Sequence, residues 1–483
     1  MSKPRHHRRE ALSAFAAFAV LGLGACVDIP DLGPKPNPTP AADYATQNSF
    51  AAPTADWPSE RWWDAYRDAQ LSGLIDEALK GSPTLAEAQA RLRAAAAQAQ
   101  QARAATLPTL NFNGQVAELE QSRAIGLPPL FAEQFPKGYW PTGRLTLDAF
   151  YDLDLFGKNR AALAAAVSEA AAARADAAQA RLTLSTAVAQ AYGTLAQLAA
   201  ERDAAAEAVR DRTESAQLVG DRVRNGIDTQ AELQQARSET PASQAELEAL
   251  EERILITRHQ LGALLGEGPD RGLAIAAPKP ETVKAFGLPA RLAIDLVGRR
   301  PDIVAARLRA EAAASRIKAA RAAFYPDVSL TAYIGHQALP LSAILSGPAA
   351  IGSIGPAVHL PIFQGGQLRG AYRGARANYD TAVAAYNATL VQALEDVADA
   401  ATSVQSAQVQ LADRRQALEA GEQAYAVARL RYEGGLSNYV SVLTAEDSVI
   451  AERRALADAE TRAFLLDVAL IRALGGGFDS AAG

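Results

Sequence analysis

Two parts of this chain carry the same punctuation at a nearly fixed offset, so the fold must be built from two equivalent halves. Pro83-Thr-Leu-Ala-Glu-Ala-Gln-Ala-Arg91 leads to Pro108-Thr-Leu110, and 218 positions later Pro301-Asp-Ile-Val-Ala-Ala-Arg-Leu-Arg309 leads to Pro326-Asp-Val328. Farther on, Arg222-Val-Arg-Asn-Gly226-Ile-Asp228 pairs with Arg431-Tyr-Glu-Gly-Gly435-Leu-Ser437, and Leu261-Gly-Ala-Leu-Leu-Gly266 with Leu470-Ile-Arg-Ala-Leu-Gly475, both at an offset of 209. Alanine matched to alanine arises by chance in Ala-rich helices. Matched Pro, Arg and Gly does not, and the pattern reads as an internal duplication. Each half has the order helix, β-hairpin, very long helix, turn, helix, and a longer loop in the first hairpin accounts for the change of offset.

Pro108 and Pro326 each stop a helix, and beyond them the hydrophobicity switches to period two. About residues 109–118, Leu110, Phe112, Gly114 and Val116 alternate with Asn111, Asn113 and Gln115; about 143–154, Leu145, Leu147, Ala149, Tyr151 and Leu153 alternate with Arg144, Thr146, Asp148 and Asp152. About 327–336, Val328, Leu330, Ala332 and Ile334 alternate with Ser329, Thr331 and Tyr333; about 351–362, Ile354, Val358, Leu360 and Ile362 lie opposite Ser353, Gly355, Ala357 and His359. Each segment has the length of a membrane-crossing strand, about ten residues. A soluble sheet with one dry face shows the same alternation. Tyr139 and Trp140, placed like interfacial aromatics, and the Pro- and Gly-rich connection between the last two segments favour the membrane. Pro356 predicts that the fourth strand starts late or carries a bulge. Strands among acyl chains must have every edge group paired within protein, so four cannot stand alone. Two chains would give a plugged eight-strand barrel and three a twelve-strand barrel with an opening, so a homotrimer is expected, an inference that the resemblance described below helps to make.

Residues 158–224 and 367–432 contain no proline. At 1.5 Å per residue each is a helix on the order of 100 Å long, too long for one compact domain. Alanine is abundant and aromatics are only 6% of the chain, which suits closely spaced helices rather than a thick core. Leu411, Leu418, Tyr425 and Tyr432 keep the seven-residue period of helices that wind round each other. Partner helices are expected at about 229–265 and 437–474. Between them and the long helices, Asn225-Gly226 and Gly434-Gly435 provide the glycine that a sharp reversal with positive φ needs. Pro241 is expected to kink the first partner helix. The predicted class is mainly α with a membrane β-barrel.

Lys3, Arg5, Arg8 and Arg9 precede an apolar run from Ala11 to Ala25, the order of a secretory signal peptide over residues 1–25 and too short for a transmembrane helix. Leu23-Gly24-Ala25-Cys26 sets small residues against the only cysteine of the chain and looks like a bacterial lipobox. It predicts N-acyl and diacylglycerol lipid on Cys26, a stable anchor because each buried methylene contributes about 0.8 kcal/mol. Asp28 follows Val27 rather than Cys26 itself, which leaves outer-membrane sorting as the expectation. Loss of the signal removes four basic residues and Glu10, making the net charge of −6 more negative by three. An acidic exported chain without a basic stripe is not expected to bind nucleic acid. His259, His336 and His359 lack metal-ligand spacing, and Gly475-Gly476-Gly477 follows a helix as a stop rather than a phosphate cradle. No nucleophile elbow is present, so neither a metal, a cofactor nor an enzyme is expected.

With these residues in place, the chain resembles the TolC-like outer-membrane efflux family, in particular its lipoprotein branch of NodT/OprM-like outer-membrane factors. Trp62-Trp63-Asp64-Ala-Tyr66-Arg-Asp68 leading to Leu74-Ile-Asp-Glu-Ala-Leu79 is similar to the branch's N-terminal signature, and Arg299-Arg300-Pro301-Asp302-Ile303 to the start of its second repeat. Leu360-Pro361-Ile362-Phe363-Gln-Gly-Gly366 resembles its strand-to-helix turn, and Arg431-Tyr432-Glu433-Gly434-Gly435-Leu436-Ser437-Asn438-Tyr439 its helix-turn-helix tip. The likeness runs from Cys26 to about Gly477. It divides the mature chain into a lipid-anchored N-terminal segment with an equatorial helix (26–82), a first repeat (83–270), a linker (271–298), a second repeat (299–477) and a tail (478–483).

The resemblance implies a homotrimer in the outer membrane whose twelve-strand barrel continues into a periplasmic α-barrel. It implies a tip, at Asn225, Gly226, Gly434 and Gly435, that docks on a periplasmic adaptor joined to an inner-membrane RND-type pump and closes like an iris when idle. The family's closing stretch commonly reads Leu-Asp-Ala-x-Arg. Here it is Leu443-Thr444-Ala445-Glu446-Asp447, with Thr444 in place of Asp and Asp447 in place of Arg, which counts against an aspartate ring. The gate candidates are instead Val440 as an apolar constriction, with Thr444, Asp447 and Tyr432 nearby and Asp228, Glu232 and Gln235 at the equivalent first-repeat positions. Ordinary interhelix contacts are the other reading of the same side chains. The expected function is an exit duct that passively conducts drugs or other small solutes. The alternatives are a duct for type I protein secretion and a non-conducting coiled-coil lipoprotein. An adaptor would have one hairpin flanked by soluble β-domains, whereas this chain has two hairpins interleaved with four amphipathic strands.

Overall fold

The computed structural model describes residues 29–120, 122, 137–278 and 287–480. The signal segment and Cys26 lie outside the described residues. The chain forms α1 (Ala69–Gly81), α2 (Pro83–Ala104), β1 (Thr109–Leu119), β2 (Trp140–Asp152), α3 (Lys158–Arg224), α4 (Gln230–Leu264), α5 (Pro269–Leu273), α6 (Leu292–Arg299), α7 (Pro301–Ala322), β3 (Asp327–Ala338), β4 (Ala350–His359), α8 (Gln367–Glu433) and α9 (Tyr439–Ala473). α2 and α7 each have 22 residues, α3 and α8 each 67, and α4 and α9 each 35. The duplication is thus kept helix for helix. No described helix is long and apolar enough to cross a membrane.

Two compact units draw on both halves. One contains Arg93–Ala171 and Arg307–Ala384, with the N-terminal stretch to Asn37; the other contains Pro38–Leu92, Ala172–Ala306 and the residues from Ala385 onward.

The first unit holds an antiparallel sheet in the order β1-β2-β3-β4. The register runs Phe112↔Leu147↔Ile334 and Leu110↔Ala149↔Ala332↔Ile354, so the apolar residues of all four strands share one face. Among the described residues most of that face is uncovered, with Phe112 71% and Ile354 76% exposed, and Leu341 and Ile344 lie over it only at the Gly143 end. The opposite face carries Asn111, Asp148, Tyr333 and Ser353 in one row and bonds within itself. Asn113 Nδ2 and Thr146 Oγ1 donate to Asp148 Oδ2 at 2.8 and 2.7 Å, and the Arg144 guanidinium lies 5.3 Å from the Tyr333 ring centroid. A soluble sheet would bury its apolar face and wet its polar one; here the apolar face is exposed as well as the polar one.

β4 differs from expectation. It begins at Ala350, and its ladder passes through Leu330↔Pro356 without the expected late start or bulge. Within the chain β4 is an edge strand, where a missing N–H is tolerated. β2 begins at Trp140, whose Nε1 donates to Lys137 O at 3.0 Å, and exposed Tyr139 stands beside it.

In the second unit, one cluster packs Trp62, Trp63, Leu71 and Ile75 against Tyr192, Leu195, Leu261 and Phe464. Its first helix is capped by Asp68, which accepts from Leu71 N at 3.0 Å and from the Tyr192 hydroxyl at 2.6 Å. A second cluster packs Leu292, Leu296 and Ile303 against Leu390, Val397 and Leu470. A third, of Val219, Leu233, Ala236, Tyr432, Tyr439, Val442 and Leu443, joins the ends of the two helical hairpins. Along α8, Leu411, Leu418 and Tyr425 are half-buried and Tyr432 is buried, as a heptad seam requires.

Candidate functional site

The two hairpin ends are built alike. In the first, Gly226 N donates to Val223 O at 3.0 Å and Ile227 N to Arg222 O at 2.9 Å; in the second, Gly435 N donates to Tyr432 O at 2.9 Å and Leu436 N to Arg431 O at 2.7 Å. These are the paired bonds of a Schellman cap, which places one residue in the left-handed region. That residue is Gly226 with φ 74° and Gly435 with φ 73°. Gly434 continues the helix by donating to Leu430 O at 3.0 Å. Asn225 Nδ2 caps Asp221 O at 2.9 Å. The next helices start on side-chain caps. Thr229 and Glu232 form a reciprocal capping box in which Glu232 accepts from Thr229 N at 2.8 Å, and Asn438 accepts from Ser441 N at 3.2 Å. The reversals present Ile227 and Leu436, both large, apolar and exposed, at corresponding positions of the two turns. Sequence reading chose the neighbouring glycines instead; the signal for the apolar pair was its recurrence at the 209 offset.

Behind the turns, Asp228 ties the hairpins together. Arg222 Nε of α3 pairs with Asp228 Oδ2 at 2.9 Å, and the hydroxyl of Tyr432 in α8 donates to the same oxygen. The Arg222 guanidinium also lies 4.3 Å from the Tyr432 ring centroid and donates to Glu433 O at 3.3 Å. Burial first, and the Asp228 carboxylate second, push the Tyr432 phenol well above its usual pKa.

Deeper in the bundle, Arg212 of α3 reaches α9. Its Nη1 donates to Glu446 Oε2 at 3.2 Å and its Nη2 to Asp447 Oδ1, while Ser215 Oγ donates to Glu446 Oε2 at 3.3 Å. The Tyr432 and Tyr439 rings pack between the two sets of charges with centroids 5.9 Å apart.

The sequence candidates therefore separate. Asp228 and Tyr432 meet in one cross-hairpin tie, and Glu232 is part of a cap. Val440, Thr444 and Asp447 form an exposed stripe on α9, with Thr444 Oγ1 donating to Val440 O at 2.9 Å, and Gln235 is exposed on α4. Sequence reading missed Arg222, Arg212 and the buried role of Glu446. Asp447 is met by a cation from α3, Arg212.

The stretch that follows the lipid candidate is held on α8. Arg376 donates to Gly33 O at 3.1 Å and to Pro34 O, the Tyr379 hydroxyl donates to Pro36 O at 2.9 Å, and Lys35 Nζ lies 5.4 Å from the Tyr379 ring centroid.

Comparison with known proteins gives a consistent result. The chain is 36% identical to the fusaric acid resistance protein FusA of Burkholderia cepacia, over 74% of this chain and 68% of that protein. It is 31% identical to the multidrug resistance outer membrane protein MdtP of Shigella flexneri, over 89% of this chain and 88% of that protein. Among solved structures, the outer membrane protein VceC of Vibrio cholerae superposes with a TM-score of 0.83 at 43% identity, covering 88% of this chain and 100% of VceC. The outer-membrane channel OprN superposes with a TM-score of 0.82 at 28% identity, covering 94% and 99%. The family model described as outer membrane efflux protein matches residues 74–267 and 293–476, one segment for each half of the duplication, and the chain belongs to that family of outer-membrane efflux channels.

Proposed function

We propose that this efflux channel works as a homotrimer anchored by lipid on Cys26, with its hairpin tips docked on a periplasmic adaptor that joins it to an inner-membrane RND-type pump. The observation that carries the reading is the sheet: four strands with an exposed apolar face, a polar face bonded within itself, and edges at β1 and β4 for the chain to complete with neighbours. Three copies close twelve strands around a wet lumen, whereas a single copy leaves two edges unpaired in lipid. Drugs and other small organic solutes are the proposed cargo, in line with the resistance named for FusA and MdtP. A wide duct adds little selectivity, so the pump selects and supplies the energy.

At the tip, Ile227 and Leu436 are proposed to seat in the adaptor, next to the turns of Asn225, Gly226, Gly434 and Gly435. The Arg222–Asp228–Tyr432 tie holds the resting tip, and Val440, Thr444 and Asp447 line its exposed stripe. The test is single-channel recording of purified protein in planar bilayers, beside variants of Tyr432 and Arg222. Channel steps that lengthen or grow more frequent when the tie is cut support the duct; no steps from any variant sink it. Cys26→Ser is expected to abolish lipid labelling without loss of trimers, and unchanged labelling refutes the anchor.

A further inference from the structure

We infer that Glu446 is a proton-responsive clasp between α3 and α9, its neutral carboxyl favouring the packed helices and its ionised form favouring their separation. The inference rests on the duct reading, in which the tip moves. Glu446 is 1% exposed and its partner Arg212 4%. Glu446 Oε2 accepts from Arg212 and Ser215, yet Oε1 has no hydrogen-bond partner among the described residues, and neither has Arg212 Nε nor the Tyr439 hydroxyl. An ionised carboxylate with one oxygen buried and unbonded is poorly satisfied, whereas a neutral carboxyl has less to lose and gains a donor.

The surrounding charges do not make good that deficit. Arg212 is shared with Asp447, the exposed neighbour of Glu446 on α9. From α3 Asp211 also faces the site, bonded to Arg453 of α9 at 3.0 Å. α8 contributes the half-buried Tyr425, which feels the Glu446 charge, and α4 contributes Glu239, which acts on Arg212 and Tyr439. Arg212 is thus divided between Glu446 and Asp447, and Arg453 among Asp211, Glu207 and Glu422. Burial, with Asp211 and Asp447 adding to it, outweighs Arg212 and Ser215 and pushes the carboxyl from its ordinary 4.5 up to about 7.

The sign of the effect follows from linkage. The packed state has the higher pKa, so it binds more protons than a state in which Glu446 is wetted. The stabilisation is full below the ordinary value and is lost as pH rises through about 7. From about pH 6 to about pH 8 the ratio of packed to separated tips falls about tenfold per chain.

The test is amide hydrogen exchange of the full-length protein in lipid nanodiscs, read over the α9 segment around Val442 to Ile450 and corrected for the intrinsic pH dependence of exchange. Protection is expected to fall about tenfold between those pH values. In Glu446→Gln, which keeps the shape but cannot ionise, it should stay flat at the low-pH level. Bilayer recordings should show open probability rising with pH in the native protein and flat in the variant. Native protection that is flat or rises with pH overturns the clasp, and so does a Glu446→Gln profile that still follows pH. The native profile decides alone if the variant fails to assemble. Channel steps absent at every pH, with the exchange profile as expected, would sink the duct and uphold the clasp.

Discussion

Asp228 receives two unlike partners, a guanidinium and a phenol, and their removal should have unequal consequences. Tyr432→Phe deletes one hydrogen bond to a carboxylate, worth about 1.5–3 kcal/mol, and leaves Arg222 to neutralise Asp228. Arg222→Ala leaves a buried carboxylate without its cation, a loss of about 3–5 kcal/mol where the pair is fully buried. Both partners are nearly so, at 11% and 8% side-chain exposure. The expected order of open probability in bilayers is therefore native, then Tyr432→Phe, then Arg222→Ala, and the reverse order for the two variants would show that the hydroxyl rather than the ion pair holds the tip. Sequence placed Asp228 and Tyr432 near the tip because both lie beside the duplicated glycine turns. It did not pair them with Arg222, although Arg222 stands in the same repeated motif. Which side chains meet across two hairpins depends on helix phase and supercoil, and neither is written in one helix's pattern. Glu446 was hidden for a related reason: in an Ala-rich helix rich in charges, a glutamate reads as part of a solvated face, and only the packing of α3 over it makes it internal.

Within elements, the two glycines of the second turn separate conformation from composition. Gly435 has φ 73°, and a Cβ there would touch nothing within 4 Å, so substitution is resisted by the backbone alone. Gly435→Ala should destabilise the tip by about 1 kcal/mol, while Gly434→Ala, on a residue with helical bonding, should be neutral or stabilising by up to about 1 kcal/mol. Thermal melting or tip hydrogen exchange distinguishes them; equal losses would contradict the Schellman geometry. Strand glycines obey a different rule. A Cβ on Gly335 would come 2.0 Å from Leu145 O, whereas one on Gly355 meets nothing within 4 Å. Gly335→Ala should therefore part β2 from β3 and lower the yield of membrane-inserted protein, and Gly355→Ala should not. Helices and their ends were legible because Pro, Gly and the capping residues act locally. Pro356 misled because a proline reports a missing N–H without saying whether the ladder needs it, and the edge position of β4 is a property of the sheet rather than of the strand.

At the scale of the whole molecule the fold breaks the rule of buried apolar side chains on one unit and keeps it on the other. The helical unit buries Trp63, Tyr192 and Leu195, while the strand unit exposes Phe112, Ile334 and Ile354 and bonds its polar residues together. Alternation alone could not choose between these arrangements, because period two specifies two faces without naming their solvents. The choice was carried by the flanks of the strands, Tyr139 and Trp140 placed like interfacial aromatics in the first hairpin and the Pro- and Gly-rich connection of the second. The consequence is a paired experiment on adjacent faces of one strand. Phe112→Arg puts a cation among acyl chains and should destabilise the barrel by about 2–4 kcal/mol near the midplane. Gln115→Arg puts the same cation on the polar face, beside Arg144 in the register, and should leave insertion intact while altering ion selectivity. Outer-membrane fractionation with heat-modifiable electrophoresis reads the first effect, and reversal potentials under a salt gradient read the second. Equal tolerance of both substitutions would mean that neither face meets lipid, and a barrel completed by neighbouring copies would have to be abandoned.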